Sequence, residues 1–142
     1  MEGTIRSLDK EVGEFIFNRI NDIVISTAKM FRGEAELIEL SSVPPLANDD
    51  KLAHEISSYV KDLVGEQAVI LLKQGGMGSE DFASYSYEVP SVYLMLGAGT
   101  KEENPLFGQP MHNEKVQFNE DILVTGAAMH AYSAIMWLKN NK

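Results

Sequence analysis

Two uninterrupted apolar runs, Ala68–Leu72 and Val92–Leu96, constrain the fold of this chain more than any other feature. Neither run alternates apolar and polar residues, and continuous apolar runs are typical of strands buried on both faces of a parallel sheet. A glycine-rich turn at residues 75–82 follows the first run, and a long loop at residues 97–118 follows the second. Ligands bind beyond the carboxyl ends of the strands in such sheets. We therefore predict an α/β fold in which both loops reach one edge of the sheet.

Pro44 and Pro45 divide the chain into two predicted domains, 1–43 and 44–142, because two successive prolines forbid both a helix and a central strand. The first domain is predicted to be strand-helix-strand, with its helix capped by Asp9 and stopped by Gly33 after about Phe31. The second is predicted to begin with a helix at residues 49–64 and to end with a helix that Asn119 caps. Between them we expect strand, short helix, strand and long loop. A two-stranded sheet is marginal alone, so the first domain needs further strands from elsewhere.

Composition excludes several classes of function. The 142 residues carry a net charge of −9 without a basic cluster, which argues against nucleic acid and against an anionic membrane surface as partners. The chain has no cysteine, so disulfides and thiolate metal sites are excluded. No apolar stretch reaches the length of a membrane span, and the first residues have no signal-peptide core. A cytoplasmic location is the prediction.

The glycine-rich turn is the first candidate binding element. Gly75, Gly76 and Gly78 would let the backbone approach a ligand closely, and Ser79 is a natural N-cap for a helix that continues through Phe82. Free amide groups at a helix start suit a carboxylate or a phosphate. A strand-to-helix turn also requires glycine for conformational reasons alone, so both interpretations stay open.

His112, in the long loop, is the second candidate. Histidine is the commonest neutral metal ligand and can act as an acid or base, although a lone histidine in a loop is usually a surface residue. With three histidines and no cysteine, the chain is not expected to build a closed zinc site by itself. No HExxH, GxSxG, P-loop or CxxC motif is present, so no catalytic residue is assigned.

Several short motifs occur in a recognisable order along the whole chain. They are Gly3–Ser7, Pro44–Asp49, Met77–Ala83, Val89–Pro90, Pro110–Asn113, Phe118–Leu123 and Gly126–Ala128. In this order they resemble the C-terminal part of the metal-dependent amidohydrolases, metallopeptidases that include hippurate hydrolase, N-acyl-amino-acid amidohydrolases and plant auxin-conjugate hydrolases. The Gly78–Phe82 block and the spacing from His112 to Asn119 are the specific parts of this resemblance.

The resemblance implies a catalytic α/β domain interrupted by a lid domain that often dimerises. Residues 1–43 are similar to the last strand-helix-strand of the lid, and residues 44–142 to the closing part of the catalytic domain. In that family a pair of divalent metals, Mn or Zn, activates a water that attacks the amide carbon of an N-acyl amino acid, with a glutamate as general base. By this resemblance His112 is a metal ligand, Gly78 and Ser79 line the substrate pocket, and Arg6 lies near the substrate carboxylate.

The other residues of the family's site have no counterpart in this chain. The remaining metal ligands, the catalytic glutamate and the lid histidine belong to sequence that precedes the matching region in the family. We therefore expect His112 alone to hold a metal weakly and the chain by itself to be inactive. The hypotheses are a hydrolase segment that requires its N-terminal portion, a non-catalytic module that forms a homodimer through the edge at residues 3–8, and a small anion-binding module built on the glycine-rich turn.

Overall fold

A computed structural model of the chain describes residues 1–72 and 75–142. Within those ranges it contains four α-helices: α1 (Lys10–Met30), α2 (Asp50–Val64), α3 (Ala83–Ser86) and α4 (Ile122–Asn140). Two short 3-10 helices occupy Glu66–Ala68 and Pro105–Gly108. The chain forms two compact units, the first from Met1–Asp49 and Leu71–Ser91, the second from Asp50–Ile70 and Val92–Lys142. The predicted domain division between residues 43 and 44 stays a prediction.

Helix α1 lies where the sequence predicts it. The carboxylate of Asp9 accepts a hydrogen bond from the Val12 backbone N–H at 2.8 Å, which satisfies one of the free donors of the first turn. At the other end, the Gly33 N–H donates to the Ala28 carbonyl and the Arg32 N–H donates to the Lys29 carbonyl. This is the Schellman arrangement, and its left-handed residue is Arg32, with φ 60°, rather than Gly33.

We expect Arg32→Gly to stabilise the chain by about 0.5–1 kcal/mol. The position requires a left-handed backbone, which glycine adopts without the steric cost that a Cβ atom imposes. Thermal unfolding followed by circular dichroism measures the effect. Arg32→Ala is the control, because it removes the same side chain and keeps the Cβ atom; an equal gain from Ala would mean that the backbone is not the cause.

Helices α2 and α4 pack against each other and form the core of the second unit. α2 contributes the buried residues Ser57, Tyr59 and Val60, and α4 contributes Ser133. α2 confirms the helix predicted at residues 49–64, beginning one residue later. α4 begins at Ile122, because the Asn119 side chain accepts a hydrogen bond from the Asp121 N–H and so closes a turn before the helix starts.

The predicted α/β fold is wrong for the part of the chain that the structure describes. No strand forms there, so neither the strand-helix-strand lid nor the sheet of a catalytic domain is seen. The residues expected at the centre of the sheet are exposed instead: Ile70 at 79% and Met95 at 82%. A strand exists only when a second strand pairs with its backbone N–H and C=O groups. The two apolar runs have the composition of buried strands, but among the described residues they form no hydrogen-bonded strand pair.

A helix that crosses a membrane needs about 20 predominantly apolar residues. Among the described residues, no helix combines the length and the apolar character needed to cross a membrane.

Candidate functional site

The structure brings Arg6 to the glycine-rich turn in the first unit. The Arg6 Nη1 atom donates a hydrogen bond to the Met77 carbonyl oxygen at 2.7 Å, across 71 positions of sequence. Met77 precedes Gly78 and Ser79, so three residues assigned to the substrate pocket lie at or beside one contact. Arg6, Gly78 and Ser79 are all exposed. A guanidinium has five N–H donors, so the bond to Met77 leaves others to meet a ligand carboxylate.

The turn does not end in the helix start that was predicted. α3 begins at Ala83 with Phe82 as its N-cap, so Ser79 does not cap it. The Glu80 carboxylate accepts a hydrogen bond from the Phe82 N–H at 3.2 Å and occupies the donor that the predicted cap would have used. A side chain that bonds the backbone two residues on competes with helix formation. Arg6 is therefore the stronger anion-binding group at this turn.

His112 lies in the second unit, on a loop with internal hydrogen bonds. The Asn119 N–H donates to the Ala98 carbonyl at 2.8 Å, which joins the two ends of the loop. Within it, the Gln117 N–H donates to the Leu106 carbonyl. Asn113, directly after His112, accepts a hydrogen bond from the Lys115 N–H at 2.8 Å and closes a tight turn. The loop therefore holds the backbone around His112 in a defined conformation, while its side chain is exposed.

The His112 backbone is in the left-handed region, with φ 61°. Strained backbone of this kind persists where surrounding structure fixes it, and it is frequent at functional sites. We expect His112→Gly to raise the free energy of unfolding by about 0.5–1 kcal/mol. Urea unfolding of this variant beside His112→Ala measures the effect; a gain from both substitutions would point to the side chain rather than the backbone.

A metal site needs several His, Cys, Asp or Glu side chains close together. Within the described ranges, residues 1–72 and 75–142, no group of three or more His, Cys, Asp or Glu side chains is placed to hold a metal ion. His112 is the residue that the family resemblance assigns as a ligand, and a divalent site needs several ligands. The described residues by themselves do not fit a resident metal.

A polar network that the sequence did not reveal joins the C-terminal end of α4 to α2. The Tyr59 hydroxyl donates to the Glu55 carboxylate at 2.5 Å, and the Asn140 Nδ2 donates to the Tyr59 hydroxyl at 2.9 Å. The Asn141 Nδ2 donates to Glu55 at 2.7 Å. Glu55 and Tyr59 are four residues apart on α2, which signals a contact, but sequence gives no sign of two asparagines more than eighty positions away.

Hydrogen bonding shifts the pKa values of both titratable groups of this network, Glu55 and Tyr59. The bonds from Tyr59 and then Asn141 lower the pKa of Glu55 below its ordinary value of 4.5. The bond to Glu55 raises the pKa of Tyr59 above 10.0. A depressed carboxyl pKa contributes stability that is present above the ordinary value and is lost as pH falls through the folded value. A raised tyrosine pKa contributes stability below the ordinary value that is lost as pH rises through the folded one.

We therefore expect stability to fall on acidification below pH 4.5, partly through Glu55. Glu55→Gln should reduce the acid dependence between the ordinary Glu pKa and the lower folded value, because the amide does not titrate. Urea unfolding at a series of pH values measures it. Glu11→Gln on α1 is the control; if both variants flatten the acid limb equally, the network is not the cause.

Comparison with known proteins gives the chain a family. The model of peptidase family M20/M25/M40 matches residues 3–135, which is nearly the whole chain. The chain belongs to this family. This confirms the resemblance to the metal-dependent amidohydrolases, and peptidases of the M20 family are generally metal-dependent.

Individual relatives are hydrolases. The chain is 32% identical over 126 residues to an uncharacterized hydrolase of Sinorhizobium fredii, covering 87% of this chain and 30% of the relative. It is 27% identical to a probable hydrolase of Synechocystis, covering 99% of this chain and 35% of the relative. An IAA-amino acid hydrolase of Arabidopsis thaliana is 29% identical, with 85% of this chain and 28% of the relative covered. The M20 chain thus spans about a third of the length of these relatives. No solved structure matches it significantly.

Proposed function

We propose that this M20 chain is the closing segment of a metal-dependent hydrolase that cleaves the amide bond of N-acyl amino acids or similar small amides in the cytoplasm. In this proposal the chain is inactive alone. It supplies Arg6, Gly78 and Ser79 to the substrate and His112 to a divalent metal, Mn or Zn. The remaining metal ligands and the general base come from the two-thirds of the relatives' length that this chain does not match.

The hydrogen bond between Arg6 and the Met77 carbonyl is the observation that carries the substrate assignment. It supports the assignment, because Arg6 bonds the residue that precedes the Gly78–Ser79 pair and a guanidinium suits a substrate carboxylate. The names of relatives support the amide bond as the target: an IAA-amino acid hydrolase of Arabidopsis thaliana and an N-acetyldiaminopimelate deacetylase of Lactococcus lactis.

A chimaera tests the proposal. This chain replaces the region of the Synechocystis hydrolase that it matches, and the purified chimaera is assayed with a panel of N-acyl amino acids in the presence of manganese or zinc. We expect hydrolysis that a chelator abolishes and that the isolated chain does not show. His112→Ala in the chimaera should reduce the rate at least about 100-fold, since even residues behind a metal ligand cost 10–100-fold.

Matched variants separate the site from general damage. His54, exposed on α2, is the control histidine, and His54→Ala should keep the rate within about twofold. Arg6→Ala should mainly raise KM for substrates with a free carboxylate. A folded, metal-loaded chimaera that hydrolyses no amide would contradict the proposal, as would equal losses from His54→Ala and His112→Ala.

A further inference from the structure

The two halves of the glycine-rich turn are held in different ways. In the second half, the Glu80 carboxylate accepts a hydrogen bond from the Phe82 N–H at 3.2 Å, and the Glu80 carbonyl accepts one from the Ala83 N–H at 3.0 Å. These bonds join that half to α3. In the first half, a Cβ atom built on Gly75 or on Gly78 meets no described atom within 4 Å. Because glycine also has the widest choice of backbone conformations, packing does little to fix the first half.

Arg6 reaches the first half of the turn from a fixed point on α1. The next residue, Ser7, donates from its hydroxyl to the Asp9 carbonyl at 2.7 Å and accepts from the Asp9 N–H at 3.1 Å. Asp9 is the N-cap of α1. The Cβ atom of Ser7 also lies against the helix, 3.5 Å from the place that a Cβ atom on Gly13 would take. The backbone beside Arg6 is therefore tied to the start of α1.

The Arg6 side chain fixes one peptide plane of the turn. Its Nη1 atom donates to the Met77 carbonyl at 2.7 Å, the short end of the range for N–H···O bonds, and bonds from a charged donor are the stronger ones. The Met77 carbonyl and the Gly78 N–H belong to one planar peptide group and point in opposite directions. Holding the carbonyl therefore also sets the direction of the Gly78 N–H.

We propose that Arg6 is a positioning residue for the substrate pocket, because its bond to the Met77 carbonyl holds the Gly78–Ser79 pair in place. This inference rests on the proposed function and adds a role that does not depend on a substrate carboxylate. The bond uses Nη1, so the edge formed by Nε and Nη2 keeps two parallel donors, the arrangement that binds a carboxylate. One guanidinium can thus hold the turn and bind the substrate together.

NMR relaxation of the backbone of the isolated chain tests the positioning without metal or substrate. We expect order parameters of about 0.85 at Gly78 and Ser79 in the unaltered chain and below about 0.6 in Arg6→Ala, because the bond that holds the peptide plane is lost. Arg19→Ala is the control. Arg19 lies on α1 with its side chain 66% exposed, and its loss should leave the order parameters of the turn unchanged.

The chimaera gives a second measurement, with two substrates that differ only at the carboxyl group: N-acetyl-leucine and its primary amide. A residue that only bound the carboxylate would have no effect on the neutral amide. We expect Arg6→Ala to lower kcat for release of acetate from the neutral amide at least about threefold, because the groups that orient the substrate are displaced. Arg19→Ala should keep this kcat within about twofold.

Each result has a distinct meaning. Equal order parameters at Gly78 in Arg6→Ala and Arg19→Ala would overturn the positioning role, whether or not the chimaera hydrolyses amides. An unchanged kcat for the neutral amide in Arg6→Ala would overturn it too and leave Arg6 with the carboxylate alone. Loss of order in the turn together with an inactive chimaera would uphold the positioning and contradict the amidohydrolase. Circular dichroism of each variant confirms that α1 is intact.

Discussion

Gly99→Ala is expected to destabilise the M20 chain by about 2–3 kcal/mol, one of the two largest effects predicted for a single substitution. Gly99 has φ 115°, a conformation that residues with a Cβ atom rarely adopt. A Cβ atom at this position would also collide with the ring of Phe107, on the 3-10 helix of the same loop. The backbone strain and the collision add, because relieving the collision requires the loop to move.

Gly97→Ala is the matched control, two residues away on the same loop. A Cβ atom built on Gly97 meets nothing within 4 Å, and its φ is not in the positive region. We expect it to change stability by no more than about 0.5 kcal/mol. Urea unfolding of the two variants gives the comparison. Equal small effects would mean that the Phe107 ring and the loop rearrange at little cost, and that the conformation around His112 is less well defined than the hydrogen bonds of the loop indicate.

Helix positions were largely predictable from the sequence because their determinants are local. The capping carboxylate of Asp9 and the glycine at position 33 lie within a few residues of the two ends of α1. They predicted the limits of α1 to within a residue. The apolar stripe of α2 has the same character. Errors appear where a polar side chain bonds to the backbone N–H two residues on. Glu80 and Asn119 do so, and the following helices begin at Ala83 and Ile122 rather than directly after the predicted caps Ser79 and Asn119.

The sheet was not predictable in the same way. The apolar composition of Ala68–Leu72 and Val92–Leu96 is typical of buried strands. A strand also needs partner strands, and the composition of a run does not identify which residues pair with it. The described residues form no strand with either run, and their apolar side chains are left exposed. Contacts within the candidate site were likewise not predictable from the sequence. The family resemblance assigned Arg6 and the Gly78–Ser79 pair to one pocket, whereas the contact with the Met77 carbonyl required the structure.

Val60→Asp is expected to destabilise the second unit by at least about 3 kcal/mol, enough to separate α2 from α4. Val60 is 5% exposed, and it lies on the face of α2 that packs in the core of this unit. An aspartate there would hold an unpaired charge away from water, or would take up a proton at a cost in free energy. The measurement is urea unfolding at pH 7, followed by the helical signal in circular dichroism.

Val124→Asp makes the same chemical change on α4, at a position where the valine is 77% exposed. Val124 lies in the first turn of α4, where the helix dipole favours a carboxylate, and Val60 lies in the last third of α2, where it does not. This contributes at most about 1 kcal/mol to the difference between the two variants, and the larger remainder reports burial. We expect the isolated chain to tolerate Val124→Asp within about 0.5 kcal/mol. That tolerance would show that the loss from Val60→Asp comes from burial in the core of the second unit. If Val124→Asp unfolded the chain as Val60→Asp does, burial of residue 60 would not be the cause of its large effect.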